Sequence, residues 1–266
     1  MMDTGLSKSL GLIEGYGGRG KGGLPATLSP EEEEKAKGPH EKYGYNSYLS
    51  EKISLDRSIP DYRPTKCKEL KYGKDLPQIS IIFIFVNEAL SVILRSVHSA
   101  VNHTPAHLLK EIILVDDNSD EASKRNETLG KLVCEGNNLK KAYFVCFGEG
   151  VEGKGIDAAL GISAEVQKQQ KVFHKDSFSE RAETCGFKWL KFLAEPVLSR
   201  IQENRRRVIL PSIDNIKQDN FEVQRYENSA HGYSWELWCM YISPPKDWWD
   251  AGDPSLPIRY VARPAR

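Results

Sequence analysis

The sequence lacks a charge excess and a long apolar run, and each lack excludes a class of protein. Lys and Arg together number 37, and Asp and Glu also number 37, so the formal net charge is zero. Proteins that bind nucleic acids usually carry a basic excess, so we expect no nucleic-acid partner. No stretch reaches the roughly 18 consecutive apolar residues that a membrane span needs. The sequence therefore predicts no transmembrane segment.

Motifs for metal and nucleophile chemistry are also scarce. The five cysteines are scattered and form no C-x-x-C pair, which excludes a zinc ribbon and a thioredoxin-like site. Pro105 separates His103 from His107, so this pair does not form the helical motif of a zinc protease. No G-x-S-x-G nucleophile elbow occurs. Catalysis by zinc or by an elbow serine is therefore not expected.

The apolar pattern predicts an α/β fold. Residues 78–86 form a β-branched and aromatic run, which is typical of a parallel strand buried on both faces. Residues 88–101 show helical spacing, and residues 111–115 predict a second buried strand. Such a βαβ unit binds ligands beyond the carboxyl ends of its strands. Further elements are predicted as strands over 142–147 and 207–211 and as a helix from Glu195 to Ile201, with Pro196 in its first turn.

The regions on either side of the predicted α/β unit are expected to contain less regular secondary structure. Residues 1–45 are interpreted as a flexible, glycine-rich, stem-like arm, in which Ser29 begins a short helix with Pro30 at its first position. Spaced prolines in residues 46–78 predict an extended segment that wraps a core. Residues 259–266 form a basic tail without a predicted element.

The leading candidate site is the polar cluster at residues 116–120, directly after the second strand. A carboxylate in this place can bind a ribose hydroxyl or a base edge, or help to hold a divalent ion. A solvated turn, whose Asp and Asn side chains bond to nearby backbone amides, explains the same pattern. The cluster lacks the Gly and Glu that a calcium loop needs at its sixth and twelfth positions. The donor-site and turn interpretations both stay open at this point.

Two further patterns have competing interpretations. Residues 148–155 approach a phosphate-binding loop around Lys154, but Gly155 stands where Ser or Thr would hold Mg²⁺, so a flexible loop is favoured. Aromatic residues gather between Tyr233 and Trp249, where they could line an acceptor groove or pack in a core.

Several motifs resemble, in the right order, those of the polypeptide N-acetylgalactosaminyltransferases. An entry motif over residues 46–63 is followed by blocks at 87–89, 110–117, 195–198, 211–214 and 232–235. The residues that fit the entry motif and the cysteine after it are Asn46, Ser50, Ile53, Arg57, Pro60, Asp61, Arg63 and Cys67. The likeness is greatest to a divergent vertebrate branch of the family.

This resemblance implies a GT-A fold, a Rossmann-like nucleotide-diphospho-sugar transferase domain over residues 46–258. It also implies transfer of GalNAc from UDP-GalNAc to Ser or Thr of a protein acceptor, with Mn²⁺, in the Golgi. The family pattern places uridine binding at Asp117, and we assign Asp116 and Asn87 to the same donor site. Tyr241, with Trp238 beside it, corresponds to the peptide groove.

The chain also departs from the family pattern. It has no Asp-x-His motif before Glu195, and residues 121–194 are interpreted as a replaced segment. Ile84 and Val86 replace a Thr and a His that are common in the family strand, and the expected partner of Cys67 is missing. We therefore expect a truncated or variant chain, a partial GT-A domain without metal ligands or catalytic residues.

Two outcomes are kept for such a chain. As a transferase of the family it would need a rescued metal site, for example Asp117 meeting a His in space, and without one we expect it to be inactive. Alternatively, it is a non-catalytic fragment that binds a partner or nothing. The Golgi is the location implied by the family, whereas a chain that truly starts at Met1 without an anchor would be cytosolic. A phosphate-loop ATPase around Lys154 is a third, weaker interpretation.

Overall fold

The structure is a computed structural model that describes residues 18–120, 142–147, 194–207, 209, 214–225, 230–233 and 239–258. Its helices are α1 (Pro30–Tyr43), α2 (Ser47–Glu51), α3 (Thr65–Glu69), α4 (Leu90–His103), α5 (Ala194–Glu203) and α6 (Lys246–Asp250). Its strands are β1 (Ile79–Phe85), β2 (Leu109–Asp117), β3 (Ala142–Phe147), β4 (Asn215–Ile216), β5 (Val223–Gln224), β6 (Ala230–Tyr233) and β7 (Cys239–Ile242). None of these helices is long and apolar enough to cross a bilayer.

A parallel sheet with the order β1-β2-β3 forms the centre of the described structure. In its register Ile81 lies beside Ile112, and Leu114 lies beside Phe144. Helix α4 connects β1 to β2, as a crossover between parallel strands requires. The predicted βαβ unit is confirmed, and the observed β2 extends beyond the predicted strand at both ends.

The main core lies between α4 and one face of this sheet. It joins Val97 and Ala100 of α4 to Ile112 and Leu114 of β2, all of them nearly or fully buried. Burial of a Val, Leu or Ile side chain stabilises a fold by about 1.5–3 kcal/mol. Helix α4 ends at His103, since the next residues are Thr104 in extended conformation and Pro105.

The opposite face of β1 differs from the prediction. Ile82 and Ile84 are about half exposed, with relative accessibilities of 50% and 51%, and Val86 follows at 43%. The prediction of a strand buried on both faces is therefore wrong for β1. A continuous apolar run indicates that either face of the strand could be buried. Only the tertiary arrangement decides which face is covered.

The described part of the N-terminal region is more ordered than the sequence predicts. Ser29 and Glu32 form a reciprocal capping box, and Pro30 takes the first position of α1. The helix runs to Tyr43 rather than stopping after a short stretch, and Gly44 ends it with a φ of 75°. The predicted cap is confirmed, whereas the structure differs from a flexible arm over residues 18–45.

Close packing explains why the glycines around residue 23 hold one conformation. Gly23 has a φ of 76°, and a Cβ placed on it would lie 2.9 Å from Pro60 Cδ and 3.0 Å from Val223. Only glycine fits this contact without strain. Nearby, the amide of Ala26 donates to the carbonyl of Asn220 over 2.8 Å. The glycines here allow a close approach and do not act as a linker.

Residues 46–78 also differ from the predicted extended wrap, because part of this segment is core. Leu49 of α2 and Ile53 are 1% and 0% exposed, and they pack with Tyr45 and Phe221 in a second apolar cluster. Two short antiparallel pairs, β4–β5 and β6–β7, complete the described strands. The predicted strand over 207–211 lies mostly outside the described residues, as do the Lys154 loop and most of the segment 121–194.

Candidate functional site

The candidate site lies where β1 and β2 end at the same edge of the sheet. The register places Phe85 of β1 beside Asp116 of β2, so the loops that follow these strands start next to each other. Parallel strands bring their carboxyl ends together, which is where α/β sheets bind ligands. The polar residues at this edge are Asn87, Glu88, Asp116, Asp117, Ser119 and Asp120.

Asn87 joins the two loops through three hydrogen bonds. Its side-chain Nδ2 donates to Asp120 Oδ2 over 3.1 Å, and its Oδ1 accepts from the Asp120 amide over 3.0 Å. Its own amide donates to Ser119 Oγ over 2.8 Å. We call this set the loop clasp. Both polar atoms of the Asn87 side chain are engaged in it.

The clasp continues to a buried carboxylate. Ser119 donates its amide to Asp116 Oδ1 over 3.0 Å, and Asp116 is 0% exposed. Two residues hold left-handed backbone conformations, Asn87 with a φ of 50° and Asn118 with a φ of 66°. Asn tolerates this region better than most residues with a side chain. Asp116 therefore supports the loop from inside, and its carboxylate is closed off from a ligand at the surface.

Asp117 and Asp120 remain exposed at the edge. Behind them, the Tyr45 hydroxyl donates to Glu88 Oε2 over 2.8 Å and accepts from the Ala89 amide over 3.2 Å. Burial, helped by the negative charge of Glu88, raises the pKa of Tyr45 far above its ordinary value, so this hydroxyl stays protonated. Exposed carboxylates offer acceptors to ribose hydroxyls or base N–H groups.

The Mn²⁺ ion that the family resemblance implies would need a group of protein ligands. In the part of the chain that the structure describes, no three His, Cys, Asp or Glu side chains gather as a metal-binding group. Cys67 is a free, partly buried thiol. The described residues therefore contain no ready set of ligands for Mn²⁺.

The structure brings some predicted site residues together and not others. Asn87, Asp116 and Asp117 lie together at the strand ends. Asn87 and Asp117 are exposed there, whereas Asp116 is buried. Tyr241 lies in β7 opposite His231. The side chain of Tyr241, and Trp238 as a whole, fall outside what the structure describes.

Sequence reasoning missed the roles of Ser119, Asp120 and Tyr45. A signal for the first two was present, since Asn, Ser and Asp after a strand indicate a turn held by side-chain hydrogen bonds. Their partner could not be found, because Asn87 lies 32 and 33 residues away in sequence. Tyr45 lies 43 residues away from Glu88, to which its hydroxyl donates.

The aromatic residues near the C-terminal end give a mixed picture. Trp248 and Trp249 meet edge to face with ring centroids 5.3 Å apart. Their indole N–H groups donate to the carbonyls of Leu256 and Pro244. Trp249 is nevertheless 48% exposed. This pair is therefore anchored by its polar atoms while one ring face stays available at the surface.

Known proteins resemble this chain in sequence and in structure. The sequence model of glycosyl transferase family 2 matches residues 80–136, a range that contains the strand-end site. The human polypeptide N-acetylgalactosaminyltransferase 9 is 52% identical over 97% of this chain and 41% of its own length. The mouse polypeptide N-acetylgalactosaminyltransferase 18 is 47% identical over 88% of this chain and 36% of its own length.

A solved structure supports the same fold. The crystal structure of GalNAc-T7 with UDP, GalNAc and Mn²⁺ matches with a TM-score of 0.65 and 23% identity, over 89% of this chain and 43% of that one. The predicted partial GT-A, Rossmann-like α/β domain is thereby confirmed. The chain spans less than half the length of these relatives. The alignment with the human enzyme covers 97% of the chain, so it runs through residues 121–194.

Proposed function

We propose a donor-binding role for the strand-end site of this chain, which belongs to the polypeptide N-acetylgalactosaminyltransferase family. Asp117 accepts hydrogen bonds from the uridine part of UDP-GalNAc. The observation that supports this role is its position: an exposed carboxylate at the last residue of β2, on the edge where α/β sheets bind nucleotides.

The reaction we assign to the whole protein is transfer of GalNAc from UDP-GalNAc to a Ser or Thr hydroxyl of a protein acceptor. Its Golgi location and an acceptor groove at Tyr241 and Trp238 belong to the same proposal. The names of the relatives support the reaction class, since both are polypeptide N-acetylgalactosaminyltransferases. GalNAc-T7 was crystallised with UDP, GalNAc and Mn²⁺.

We propose further that this chain by itself transfers little or no GalNAc. Departure of a diphosphate needs a cation or a clamp of basic side chains to neutralise its charge. The sequence has no Asp-x-His, and the described residues hold no group of metal ligands. Donor binding through the uridine end does not require that cation, so binding and transfer separate in this chain.

A non-catalytic, partner-binding fragment is the second candidate. It is favoured by the apolar surface that Ile82 and Ile84 of β1 form with Val86, which follows the strand, since each of these side chains is about half exposed. Apolar surface of this kind is common where a protein meets another chain. Under this alternative the strand-end carboxylates form only a solvated turn.

A thermal-shift titration of the whole chain with UDP separates the two candidates. We expect UDP to raise the melting temperature, because a ligand at 100 times its Kd stabilises the folded state by about 2.7 kcal/mol. Asp117→Ala should abolish the rise. The matched control is Asp75→Ala, an exposed carboxylate before the opposite end of β1, which should keep it.

The same samples test transfer. UDP-GalNAc is supplied with Mn²⁺ and a threonine-containing peptide, and glycopeptide is measured by mass spectrometry. We expect none above background. Glycopeptide formed by the wild-type chain would show that the inactivity proposal is wrong. No melting shift with UDP would contradict donor binding and favour the partner-binding candidate.

A further inference from the structure

We propose that Asn87 is a positioning residue that presents Asp117 to the donor through the loop clasp. This inference rests on the proposed function, since it takes Asp117 as the residue that contacts uridine. It gives Asn87, which the sequence analysis assigns to the donor site, an indirect role in place of a direct contact with the donor. No contact between the Asn87 side chain and the donor is needed.

The first step is that both polar atoms of the Asn87 side chain already form hydrogen bonds. Its Oδ1 accepts from the Asp120 amide and its Nδ2 donates to the Asp120 carboxylate, at 3.0 and 3.1 Å. Each of these atoms can form a second hydrogen bond, but the two bonds to Asp120 hold the plane of the side-chain amide against the neighbouring loop. The Asn87 side chain therefore has a structural role that does not depend on a ligand.

The second step is that the clasp ties the chain on both sides of Asp117. On the carboxyl side, Ser119 and Asp120 are bonded to Asn87. On the amino side, Asp116 is buried in β2 and accepts from the Ser119 amide. The tied loop leaves Asp117 and Asn118 exposed between its anchors.

The third step is that the backbone conformation depends on this support. Asn87 and Asn118 hold positive φ angles of 50° and 66°. Such conformations cost free energy for a residue with a side chain and persist where surrounding contacts hold them. Without the clasp the loop would sample other conformations, and ordering it again would weaken ligand binding.

The inference is tested on the whole chain with UDP as the probe. Binding is measured by isothermal titration, and hydrogen exchange is measured at the Ser119 and Asp120 amides. Asn87→Ala should weaken UDP binding about tenfold and speed exchange at both amides. Asn87→Gly, which tolerates a positive φ but lacks the amide, should lose binding to the same extent.

A conservative variant separates positioning from a general loss of structure. Asp120→Asn keeps an oxygen that can accept from Asn87 Nδ2, and the Asp120 backbone amide is unchanged. We expect it to bind UDP within about twofold of wild type, whereas Asp120→Ala should be intermediate. Asp75→Ala is again the matched control. A cooperative melt in every variant establishes that each one is folded.

Several results would overturn the inference. If Asn87→Ala speeds exchange but leaves UDP binding unchanged, the clasp does not serve the donor site. If it weakens binding without changing exchange, Asn87 contacts the ligand directly. If wild type does not bind UDP, the donor role fails with the proposed function. In that case hydrogen exchange still tests the clasp by itself. Unchanged exchange in Asn87→Ala would show that the clasp does not order the loop.

Discussion

The entry motif over residues 46–63 places several family residues in the core, whereas the strand-end site places two of its family residues in solvent. In the entry motif, Ser50 and Ile53 are 0% exposed and Arg57 is 5% exposed. At the strand ends, Asn87 and Asp117 are exposed. Both regions are equally visible as family signatures in the sequence. The structure separates residues that hold the fold from residues that can meet a ligand.

The buried region shows how charged side chains can serve packing. Arg57 donates from Nε to the Gly20 carbonyl over 2.7 Å and from Nη2 to the Phe221 carbonyl, so it ties the N-terminal segment to the turn after β4. Arg95 of α4 donates to oxygens of Ser50, Ile53 and Ser54. Burial lowers the pKa of each guanidinium to about 10, so both remain charged at neutral pH.

The comparison therefore predicts that substitutions in the two regions affect different quantities. Changes in the buried region should lower stability and leave the strand-end site intact. Changes at the exposed strand-end residues Asn87 and Asp117 should alter ligand binding with little loss of stability.

The largest loss is expected for Arg95→Met. Methionine fills much of the volume but removes the bonds that Arg95 donates to the carbonyls of Ser50, Ile53 and Ser54. The Ser50 and Ser54 carbonyls each keep one backbone donor. A hydrogen bond to a charged group contributes about 1.5–3 kcal/mol, so we expect a loss of roughly 3 kcal/mol or more in urea unfolding. Arg95→Lys is the control and should lose less, because it keeps a donor. A loss below about 1 kcal/mol for Arg95→Met would show that water replaces the guanidinium.

Arg57→Met should have a smaller effect, of about 2 kcal/mol, because it removes bonds to two carbonyls, of which that of Gly20 keeps the Gly23 amide as a donor. We expect the loss to be local. Hydrogen exchange should rise at the Ala26 amide, which bonds to the same turn through Asn220. Exchange at the β2 amides should rise only by the amount that the loss of global stability predicts. A rise at the β2 amides beyond that amount, and as large as the rise at the Ala26 amide, would contradict a local effect of Arg57.

Ser29→Ala should cost about 1 kcal/mol, because it removes the side-chain oxygen that caps α1. Urea unfolding measures the loss. The control is Ser58→Ala, which removes an exposed hydroxyl bonded to the Gly22 amide and should cost less. An equal cost for the two variants would mean that the cap adds nothing specific to α1.

The cap should also depend on pH. Bonds from the Ser29 amide and Lys52 lower the pKa of Glu32 from 4.5 to about 2. A carboxyl with a lowered folded-state pKa stabilises the fold above its unfolded pKa and loses that contribution as pH falls. The stability difference between wild type and Glu32→Gln should therefore be largest above pH 4.5 and shrink toward pH 2. A difference that stays constant over this window would contradict the assignment.

The smallest stability effect is expected for Asp117→Ala. The carboxylate is exposed, so its loss should change unfolding free energy by no more than about 0.5 kcal/mol. UDP binding should nevertheless be lost. Asp116→Ala should instead lower stability clearly, because that carboxylate is fully buried and bonded to the Ser119 amide. A comparable stability loss in both variants would remove the contrast between the two residues.

Much of the sheet could be predicted because its signals are local. The β-branched runs at β1 and β2, the helical spacing of α4 and the Ser29 cap each lie within a few residues of the element they specify. The loop clasp and the roles of Arg57 and Arg95 could not be predicted in this way. Their partners lie between 32 and 164 residues away in the chain.

The sequence by itself determined the βαβ order, the acidic edge at its carboxyl end and the likeness to a transferase family. Only the tertiary structure decided that Asp116 is closed off, that Asp117 stays open and that the Asn87 amide faces Asp120. It also left one face of β1 half exposed and covered the other with α4. The physical reason is that burial and long-range hydrogen bonds depend on which distant segments meet, whereas propensity and periodicity depend on neighbours.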